Sequence, residues 1–263
     1  MIHPLTYIKK LEGKSNSHLI TFSDGRDYVV KYFQPGFEKT LPNEWVAYCL
    51  ARYLGLPIPY AQIVQIPEAF TEKNTEFSNN NISKYQFASL YIPNCLNGHQ
   101  VVSLEKIINH ESLAAIILFD YWLGNTDRTR KNILLQEQAP GMHYLRIIDH
   151  AEVFGTYNWV YEDLDQLPKR VMKSYTHQLM ARFIGKEEDF AEPLELIQTI
   201  PILLIEEIVS LIPEDWNVSE EEKKGMVTIL LRRRDKILRE LMGSFLKKVY
   251  RPLHQQNDMS ADQ

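Results

Sequence analysis

A length of 263 residues and a mass of 30.8 kDa fit one two-lobed domain or two small ones, and a hydrophobic content of 44% allows a sizeable core. The net charge of -5 and the pI near 5.9 argue against a general nucleic-acid-binding protein, which is usually basic. Cys49 and Cys95 are too few for a disulfide framework, and no apolar run suits a signal peptide or a membrane span. We therefore expect a cytoplasmic protein.

The first part of the chain predicts β-structure. Residues 18–22 alternate in polarity, and residues 27–33 form a second β-rich run. The pair Asp24-Gly25 between them is typical of a hairpin turn, because Gly adopts positive φ without steric cost. Ahead of the hairpin, residues 12–17 are small and polar, and they can form a loop that curls closely around a ligand.

A helix and two further strands follow the hairpin. Pro42 suits the first turn of a helix, apolar side chains then recur at helical spacing, and Gly55 suits the residue that ends it. Residues 60–66 and 84–92 predict strands. Between these strands, residues 72–83 contain a run of Asn and predict a mobile loop.

The second half of the chain changes to a helical pattern. Residues 111–123 predict a strongly apolar helix, and a polar loop separates it from short strands at 133–135 and 143–148. The remaining predicted helices cover residues 163–183, 186–198, 201–211 and 219–250. Ser219 and Glu222 predict a capping box at the start of the last of these helices.

This order of elements predicts an α+β fold with two lobes. The N-lobe covers residues 1–93 and combines strands with one helix, the larger C-lobe covers residues 94–253 and is helical, and residues 254–263 form a disordered tail. The loop-rich residues 92–100 lie between the lobes. Because ligands favour crevices of this kind, we expect the functional site there.

Three polar side chains near predicted strand ends are candidates for catalysis and metal binding. Asp127 and Asn132 share a polar loop, and Asp149 follows a later apolar run. A magnesium ion on nucleotide phosphates prefers one or two oxygen ligands from the protein, which Asn132 and Asp149 can supply. Asp127 would orient an attacking hydroxyl and take its proton, as in protein kinases. The alternatives are an ordinary polar turn and a strand-end cap at Asp149.

A lysine and a glutamate in the N-lobe are candidates for phosphate binding. Lys31 lies in a β-rich run directly after two valines. In this it is similar to the kinase strand lysine that contacts both the nucleotide phosphates and a helix glutamate. Glu44 opens the following helix and is the expected partner. The alternatives are a solvated edge-strand lysine and a first-turn glutamate stabilised by the helix dipole.

Several short motifs together carry a family resemblance. They are Lys31 in its β-rich run, Asn43-Glu44 before the helix, the sequence Asn-Thr-Asp-Arg-Thr-Arg-Lys-Asn at 125–132, and Ile148-Asp149-His150. This set resembles the HipA-like kinase family, and in particular its compact branch, which lacks the extra N-terminal subdomain of the toxin kinase. The similarity covers residues 10–160. The Asp-Arg-x-x-x-Asn motif is shared in outline with the phosphoinositide lipid kinases, which leaves the phosphate acceptor open.

The resemblance implies a protein-kinase-like fold that binds ATP and Mg²⁺. It implies Asp127 as the catalytic base, with Asn132 and Asp149 as the magnesium ligands. The implied nucleotide-binding residues are Gly13, Ser15, Asn16, Ser17, Lys31, Glu44, Ser89 and Tyr91. Residues 13–17 would cover the phosphates through backbone N–H groups and hydroxyls, although Gly13 is their only glycine. The segment 87–91 would contact the adenine.

Cationic residues occur in two groups with different interpretations. Within the polar loop, Lys131 is the favoured candidate for neutralising charge on the transferring phosphoryl group, while Arg128 and Arg130 can instead cap a helix or pair with acids. His150 is interpreted as a packed residue that orients the Asp149 turn. The basic cluster at 232–236 belongs to a solvated helix face rather than to a nucleic-acid site, because the chain is acidic.

These features together predict an ATP-dependent phosphotransferase with a hydroxyl acceptor. Ser or Thr of a protein substrate is the expected acceptor, and nucleic acid is not expected as a partner. Two alternatives stay open at this point. The protein can be a nucleotide-binding module without turnover, as the glycine-poor phosphate loop suggests, or a kinase of a lipid or small metabolite, as the lipid-kinase-like loop suggests.

Overall fold

A five-stranded antiparallel sheet forms the N-terminal part of the residues that the computed structural model describes, which are 2–13, 15–73 and 83–255. Its strands are β1 (Pro4–Lys10), β2 (Ser17–Phe22), β3 (Asp27–Lys31), β4 (Ala61–Gln65) and β5 (Tyr85–Leu90). Their order across the sheet is β1-β2-β3-β5-β4. Strand β1 was not predicted, because it lies at the sheet edge with mostly exposed side chains and has no regular alternation.

The hairpin between β2 and β3 follows the predicted pattern. Gly25 has φ +75° and donates its N–H to the carbonyl oxygen of Phe22 at 2.9 Å. Strand β3 ends at Lys31, two residues before the predicted end, and this position brings the lysine to the cleft described below. The apolar face of the sheet encloses a small core made of Ile20, Phe22, Tyr28, Val30, Tyr32, Val64, Ile66 and Ala88.

Helix α1 (Thr40–Tyr53) connects the hairpin to β4 and packs against the sheet. Pro42 lies in its first turn and Gly55, at φ +69°, follows its end, as predicted. The helix has few exposed residues, and its buried set includes the polar side chains of Asn43 and Glu44. Because buried polar groups need partners, these two side chains mark the face of α1 that meets the rest of the molecule.

Two predicted irregular segments fall partly or wholly outside the described residues. A short helix α2 (Glu68–Thr71) precedes the predicted loop 72–83, of which residues 74–82 are not described. The predicted tail 254–263 is described only to residue 255, and its start is wrong, because the last helix continues through His254. The imidazole of His254 stacks on Tyr250, and its Nε2 lies 3.0 Å from the carbonyl oxygen of Ala181.

A second sheet lies in the part of the chain that was predicted to be mainly helical. Among the described residues it has four strands in the order β6-β8-β9-β7. These are β6 (Leu96–Asn97), β7 (Lys106–Ile107), β8 (Ile133–Ala139) and β9 (Met142–Ile147). Strands β8 and β9 were predicted, while β6 and β7 are too short to show a sequence pattern. Ile133 pairs with Ile147, so Asn132 and Ile148 are neighbours at the open end of this hairpin.

Among the helices of the second half, α3 (Leu113–Leu123) lies in the core, and every residue of it except Ala115 is buried. The others are α4 (Tyr175–Ala181), α5 (Ala191–Thr199), α6 (Ile202–Ser210), α7 (Glu220–Arg232) and α8 (Leu238–Phe245). A π-helical turn joins α7 to α8, so the predicted long helix is continuous. The predicted capping box is present between Ser219 and Glu222. No helix within the described ranges has both the length and the apolar character needed to cross a bilayer.

The predicted helix over 163–183 is wrong in its first half. Residues Tyr161–Gln166 form a 3-10 helix, and the chain is irregular from Leu167 until α4 begins at Tyr175. Pro168 explains the break, because the residue before a proline is driven to extended conformations, and Leu167 has φ -52° and ψ 142°. The apolar residues of this stretch are spaced as in a helix, although the segment lies on the surface and is not an α-helix.

Candidate active site

A cleft of about 670 Å³ lies between residues of β3, β5 and α1 on one side and residues around β8 and β9 on the other. The predicted site residues that line it are Gly13, Ser15, Ser17, Lys31, Glu44, Ser89, Tyr91, Lys131, Asn132 and Asp149. Asn16 and Asp127 do not line this cleft. The fold therefore brings ten of the twelve predicted residues to one cavity, although the first and the last of them are more than a hundred positions apart in the sequence.

Lys31 joins the two sides of the cleft. Its Nζ donates to Glu44 Oε1 and, at 2.7 Å, to Asp149 Oδ1. Lys31 and Glu44 are buried, with 7% and 3% of their surfaces exposed. Burial alone would lower the pKa of Lys31, but the carboxylates of Asp149 and Glu44 outweigh it and the pKa lies above its usual value. The lysine is therefore cationic and held between two acids.

Asp149 occupies a turn that orients its carboxylate. It comes two residues after the end of β9. Its φ of +57° is a left-handed conformation, which Asp tolerates better than most residues do. About a third of its side chain is exposed (35%). Burial would raise the pKa of Asp149, but Lys31 outweighs it and the pKa lies below its usual value. The side chain is therefore an anion at neutral pH with access to the cleft.

Asn132 and Asp127 are bonded to each other on the polar loop. The amide Nδ2 of Asn132 donates to Asp127 Oδ2 at 2.9 Å and to its carbonyl oxygen at 2.6 Å. The N–H of Asp127 is bonded to Asn125 Oδ1 at 3.1 Å, which closes a tight turn. With Nδ2 used in this way, Oδ1 of Asn132 has no hydrogen-bond donor among the residues that the structure describes. The loop thus presents one carboxylate and one uncommitted amide oxygen.

A buried ion pair that was not predicted holds this loop in place. The guanidinium of Arg128 donates to both carboxylate oxygens of Asp120 in α3, at 2.9 and 3.0 Å. Its Nη1 donates to the carbonyl oxygens of Asn132 and Ile148, at 2.7 and 2.9 Å. These carbonyls belong to one candidate metal ligand and to the residue before the other. Arg128 therefore sets the spacing between Asn132 and Asp149 from behind the cleft.

The sequence does contain a sign of this ion pair. Asp120 is the single charged residue of α3, a helix that is otherwise apolar. A carboxylate in such a helix has to be paired or hydrogen-bonded when the helix is buried, and Asp120 is fully buried. Its other partners are Asn125, whose Nδ2 donates to Oδ1 at 2.8 Å, and His177, whose Nε2 lies 2.9 Å from Oδ2. Burial would raise the pKa of Asp120, but Arg128 and His177 outweigh it and the pKa is far below its usual value.

The side chain of His150 is fully buried, although the residue is among those that line the cleft. Its Nε2 accepts from Arg128 Nη2 at 2.9 Å, and its ring makes an edge-on contact with Phe119. Burial, followed by the charge of Arg128, lowers the pKa of His150 to about 3. The imidazole is therefore neutral at physiological pH, which agrees with its interpretation as a residue that orients the Asp149 turn. Its backbone N–H donates to Glu44 Oε1 at 3.0 Å.

Asn43 of α1 holds the segment that follows Asp149. Its Nδ2 donates to the carbonyl oxygens of Ala151 and Val153, at 2.7 and 3.0 Å. Its Oδ1 accepts from Trp159 Nε1 at 2.9 Å. This buried amide explains why Asn43 precedes Glu44 in the motif: one side chain positions the chain after Asp149, and the other pairs with the lysine that contacts Asp149.

Position 14 of the predicted phosphate loop lies outside the described residues, while its other members lie directly ahead of β2 or, in the case of Ser17, begin it. The N–H of Leu11 donates to the carbonyl oxygen of Ser17 at 2.8 Å, and Gly13 has φ +139°. The hydroxyls of Ser15 and Ser17 lie 3.0 Å apart and both residues line the cleft. The side chain of Asn16 is instead bonded to His18 Nε2 at 3.1 Å. The Oδ1 of Asn16 is therefore engaged by His18, and the residue does not line the cleft.

The three loop cations have different positions. Arg128 is buried against Asp120, Lys131 is exposed and lines the cleft, and Arg130 is exposed and lines a different cavity. Within the described residues, no cluster of three or more His, Cys, Asp or Glu side chains is placed to hold a metal ion. A magnesium ion on nucleotide phosphates does not need such a cluster, because one or two protein oxygens suffice.

Comparison with known proteins identifies the family. A family model described as HipA-like kinase matches residues 7–247. The chain belongs to the HipA-like kinase family. The family resemblance predicted from the short motifs is thus confirmed, and the match extends beyond residue 160 into the C-terminal helices. No curated protein matches this HipA-like kinase at a significant level.

Two solved kinases share the fold. The Helicobacter pylori proinflammatory kinase CtkA superposes with a TM-score of 0.59 at 16% identity, over 91% of this chain and 95% of CtkA. The Golgi casein kinase with Mn/ADP bound superposes with a TM-score of 0.50 at 14% identity, over 94% of this chain and 74% of that kinase. Identities this low show the fold alone, and they confirm the predicted kinase-like α+β architecture. Family and fold together support a kinase-type phosphotransferase.

Proposed function

We propose that this HipA-like kinase transfers the γ-phosphoryl group of ATP to the hydroxyl of Ser or Thr in a protein substrate. The contact of Lys31 with both Glu44 and Asp149 carries the proposal. In protein kinases the strand lysine, the helix glutamate and the metal-binding aspartate have to be in place together for activity. Here all three side chains meet in one cleft, which favours a catalytically competent arrangement.

The donor set of the cleft fits a nucleotide with a divalent ion. The carboxylate of Asp149 and Oδ1 of Asn132 are hard oxygen ligands of the type that Mg²⁺ prefers. Their backbones are adjacent, because the N–H of Ile148 donates to the carbonyl oxygen of Asn132 at 3.1 Å. The related fold of the Golgi casein kinase holds Mn and ADP. Bound Mg-ATP would supply the phosphoryl group and neutralise charge that develops on it.

The side chains around the phosphates have separate roles in this proposal. Lys31 binds the α- and β-phosphates, and residues 13–17 cover them with backbone N–H groups and serine hydroxyls. Asp127 accepts the proton of the attacking hydroxyl, and Lys131 neutralises charge on the transferring group. The remaining proposed contacts, to the adenine, come from Ser89 and Tyr91 on and after β5.

A nucleotide-binding module without turnover is the second candidate function. The phosphate loop contains one glycine, Gly13, so fewer of its backbone N–H groups can approach a phosphate closely. Such a module would bind Mg-ATP in the same cleft and transfer nothing. Binding and transfer therefore have to be measured separately.

The test combines thermal-shift titration with transfer of label from γ-labelled ATP. Wild-type protein should be stabilised by Mg-ATP and should label a Ser/Thr protein acceptor. Asp127→Asn should keep the stabilisation and lose labelling by about a hundredfold or more, since general-base catalysis contributes about 10²–10⁴-fold. Glu187→Gln, at a carboxylate that pairs with the exposed Arg251 and does not line the cleft, is the control and should label normally.

Each outcome decides between the candidates. Stabilisation of the wild type without labelling of any protein, lipid or small alcohol supports the binding module. Labelling by Asp127→Asn at the wild-type rate contradicts the role of Asp127 as the base. Labelling of lipids or small alcohols alone contradicts a protein acceptor, and the absence of stabilisation by Mg-ATP contradicts both functions.

A further inference from the structure

A second cavity, of about 490 Å³, lies beside the loop that carries Asp127. It is lined by Thr126 and Arg130 of that loop, by Met172 and Lys173 of the surface segment before α4, and by Tyr175 at the start of α4. A neighbouring cavity of about 570 Å³ shares Thr126, Met172 and Lys173 with it and adds Arg170. The two cavities thus share part of their lining, and we call them together the basic groove.

The groove is positively charged in an otherwise acidic protein. Arg130, Arg170 and Lys173 are exposed, and none of their side chains makes a hydrogen bond or ion pair with another described residue. Among the described residues that line the two cavities, none is Asp or Glu. The whole chain carries a net charge of -5, so these cations stand in local contrast to the rest. Unpaired cations around a concave surface attract anionic groups.

The surface segment that forms one wall of the groove is anchored to the catalytic loop. Ser174 Oγ donates to the carbonyl oxygen of Arg128 at 2.9 Å and accepts from the N–H of His177 at 3.1 Å. Because Arg128 is itself locked against Asp120, the segment has a defined position next to Asp127. Tyr175, which is 78% exposed, adds a large apolar surface at the rim. An aromatic ring beside cations suits a peptide better than a small, fully polar metabolite.

We propose that the basic groove binds the acceptor as a peptide segment whose Ser or Thr is flanked by anionic side chains. Arg130, Arg170 and Lys173 would contact the flanking carboxylates or phosphates, while the hydroxyl reaches Asp127 from the side opposite the nucleotide. This inference rests on the proposed kinase function, since it names the substrate class of the same site. It makes the groove, rather than the nucleotide cleft, the determinant of substrate choice.

The first experiment measures peptide binding without transfer. Fluorescence anisotropy with full-length protein would compare four Ser peptides of equal length, flanked by Glu, phosphoserine, Gln or Lys. The Glu and phosphoserine peptides should bind about tenfold tighter than the Gln peptide, and this difference should shrink at high salt because the contacts are exposed. The Glu and phosphoserine arms show whether carboxylate or phosphate is the preferred group.

Charge reversal then assigns the effect to the groove. Lys173→Glu and Arg130→Glu should each weaken the acidic peptide by about tenfold and leave the Gln peptide unchanged. Lys248→Glu makes the same charge change at an exposed position of the last helix and should have no such effect. Thermal unfolding checks that all three variants are folded. Equal losses for Lys173→Glu and Lys248→Glu would show a non-specific field and overturn the assignment.

A parallel transfer assay separates this inference from the proposed function. Transfer to acidic and neutral peptides at the same rate and with the same affinity overturns the anionic substrate class and leaves the kinase function standing. Tight binding of acidic peptides without transfer to any acceptor keeps the groove and refutes the kinase function. Binding of no peptide, together with transfer to a lipid or metabolite, overturns the inference.

Discussion

Substitution of Asp120 by Asn tests the buried ion pair that positions the candidate active site. The change keeps the shape of the side chain and removes its charge. In the native protein, Asp120 accepts two hydrogen bonds from Arg128 and contacts Nε2 of His177 at 2.9 Å. The side chains of Asp120 and Arg128 are 0% and 1% exposed, so solvent cannot replace the lost partner. The variant leaves a buried guanidinium without its counter-charge.

The expected cost follows from this burial. Removing one partner of a buried ion pair costs about 3–5 kcal/mol, because the other charge stays desolvated and uncompensated. At about 2–4 °C per kcal/mol for a domain of this size, a loss of 4 kcal/mol lowers Tm by about 8–16 °C. Since Arg128 also bonds the carbonyl oxygens of Asn132 and Ile148, the stabilisation by Mg-ATP should fall as well.

Calorimetry and chemical denaturation of Asp120→Asn measure this cost, with Glu187→Gln as the matched control. Glu187 also binds an arginine, Arg251, through both oxygens, but the pair is exposed to solvent. Exposed ion pairs contribute little, so the control should not differ measurably from wild type. If Asp120→Asn were no less stable than Glu187→Gln, the argument that this pair holds the catalytic loop would be refuted.

Three further substitutions test local features of the fold by chemical denaturation. Gly124→Ala should destabilise the protein by about 1–2 kcal/mol, because Gly124 ends α3 at φ +66° and a Cβ would meet Leu167 at 3.3 Å; an unchanged midpoint would contradict this. Ser219→Ala should cost about 1 kcal/mol through loss of the bond to the N–H of Glu222, and an Ala variant as stable as wild type would show that the capping box contributes nothing. Burial, and then the charge of Lys10, lowers the pKa of His18 from 6.5 to about 4 in the folded protein. Between these two pH values the imidazole is therefore protonated in the unfolded chain but not in the folded protein. The wild type should therefore lose stability on acidification through this window, by at most about 1.4 kcal/mol per pH unit from this group, and His18→Gln should show a shallower slope.

Elements with strong local signals were predictable from the sequence. The hairpin at Gly25, helix α1 between Pro42 and Gly55, and the capping box depend on backbone preferences and neighbouring side chains, and all of them are present. Strand β1 and the break at Pro168 were missed. An edge strand has no regular burial pattern, and a surface segment can imitate a helical period, so local pattern alone could not identify either of them.

The candidate site was predictable to the extent that its residues lie in recognisable motifs. Lys31, Glu44, Asn132 and Asp149 were chosen from the sequence, and the structure brings them to one cleft. Their roles in phosphoryl transfer stay predictions until the variants are measured. The sequence favoured Lys131 over Arg128 and Arg130 as the functional cation. It did not indicate which of these three side chains pairs with a carboxylate.

The family, the α+β composition and the residue types that can carry the chemistry were recognisable in the sequence, because they depend on short motifs and local periodicity. Which cations of the polar loop are paired, by contrast, depends on the tertiary structure. Arg128 is neutralised because α3 places Asp120 behind the loop, while Arg130 and Lys173 face solvent because the segment after Pro168 folds beside that loop. Pairing depends on distances between residues far apart in the chain, and those distances exist only after the chain has folded.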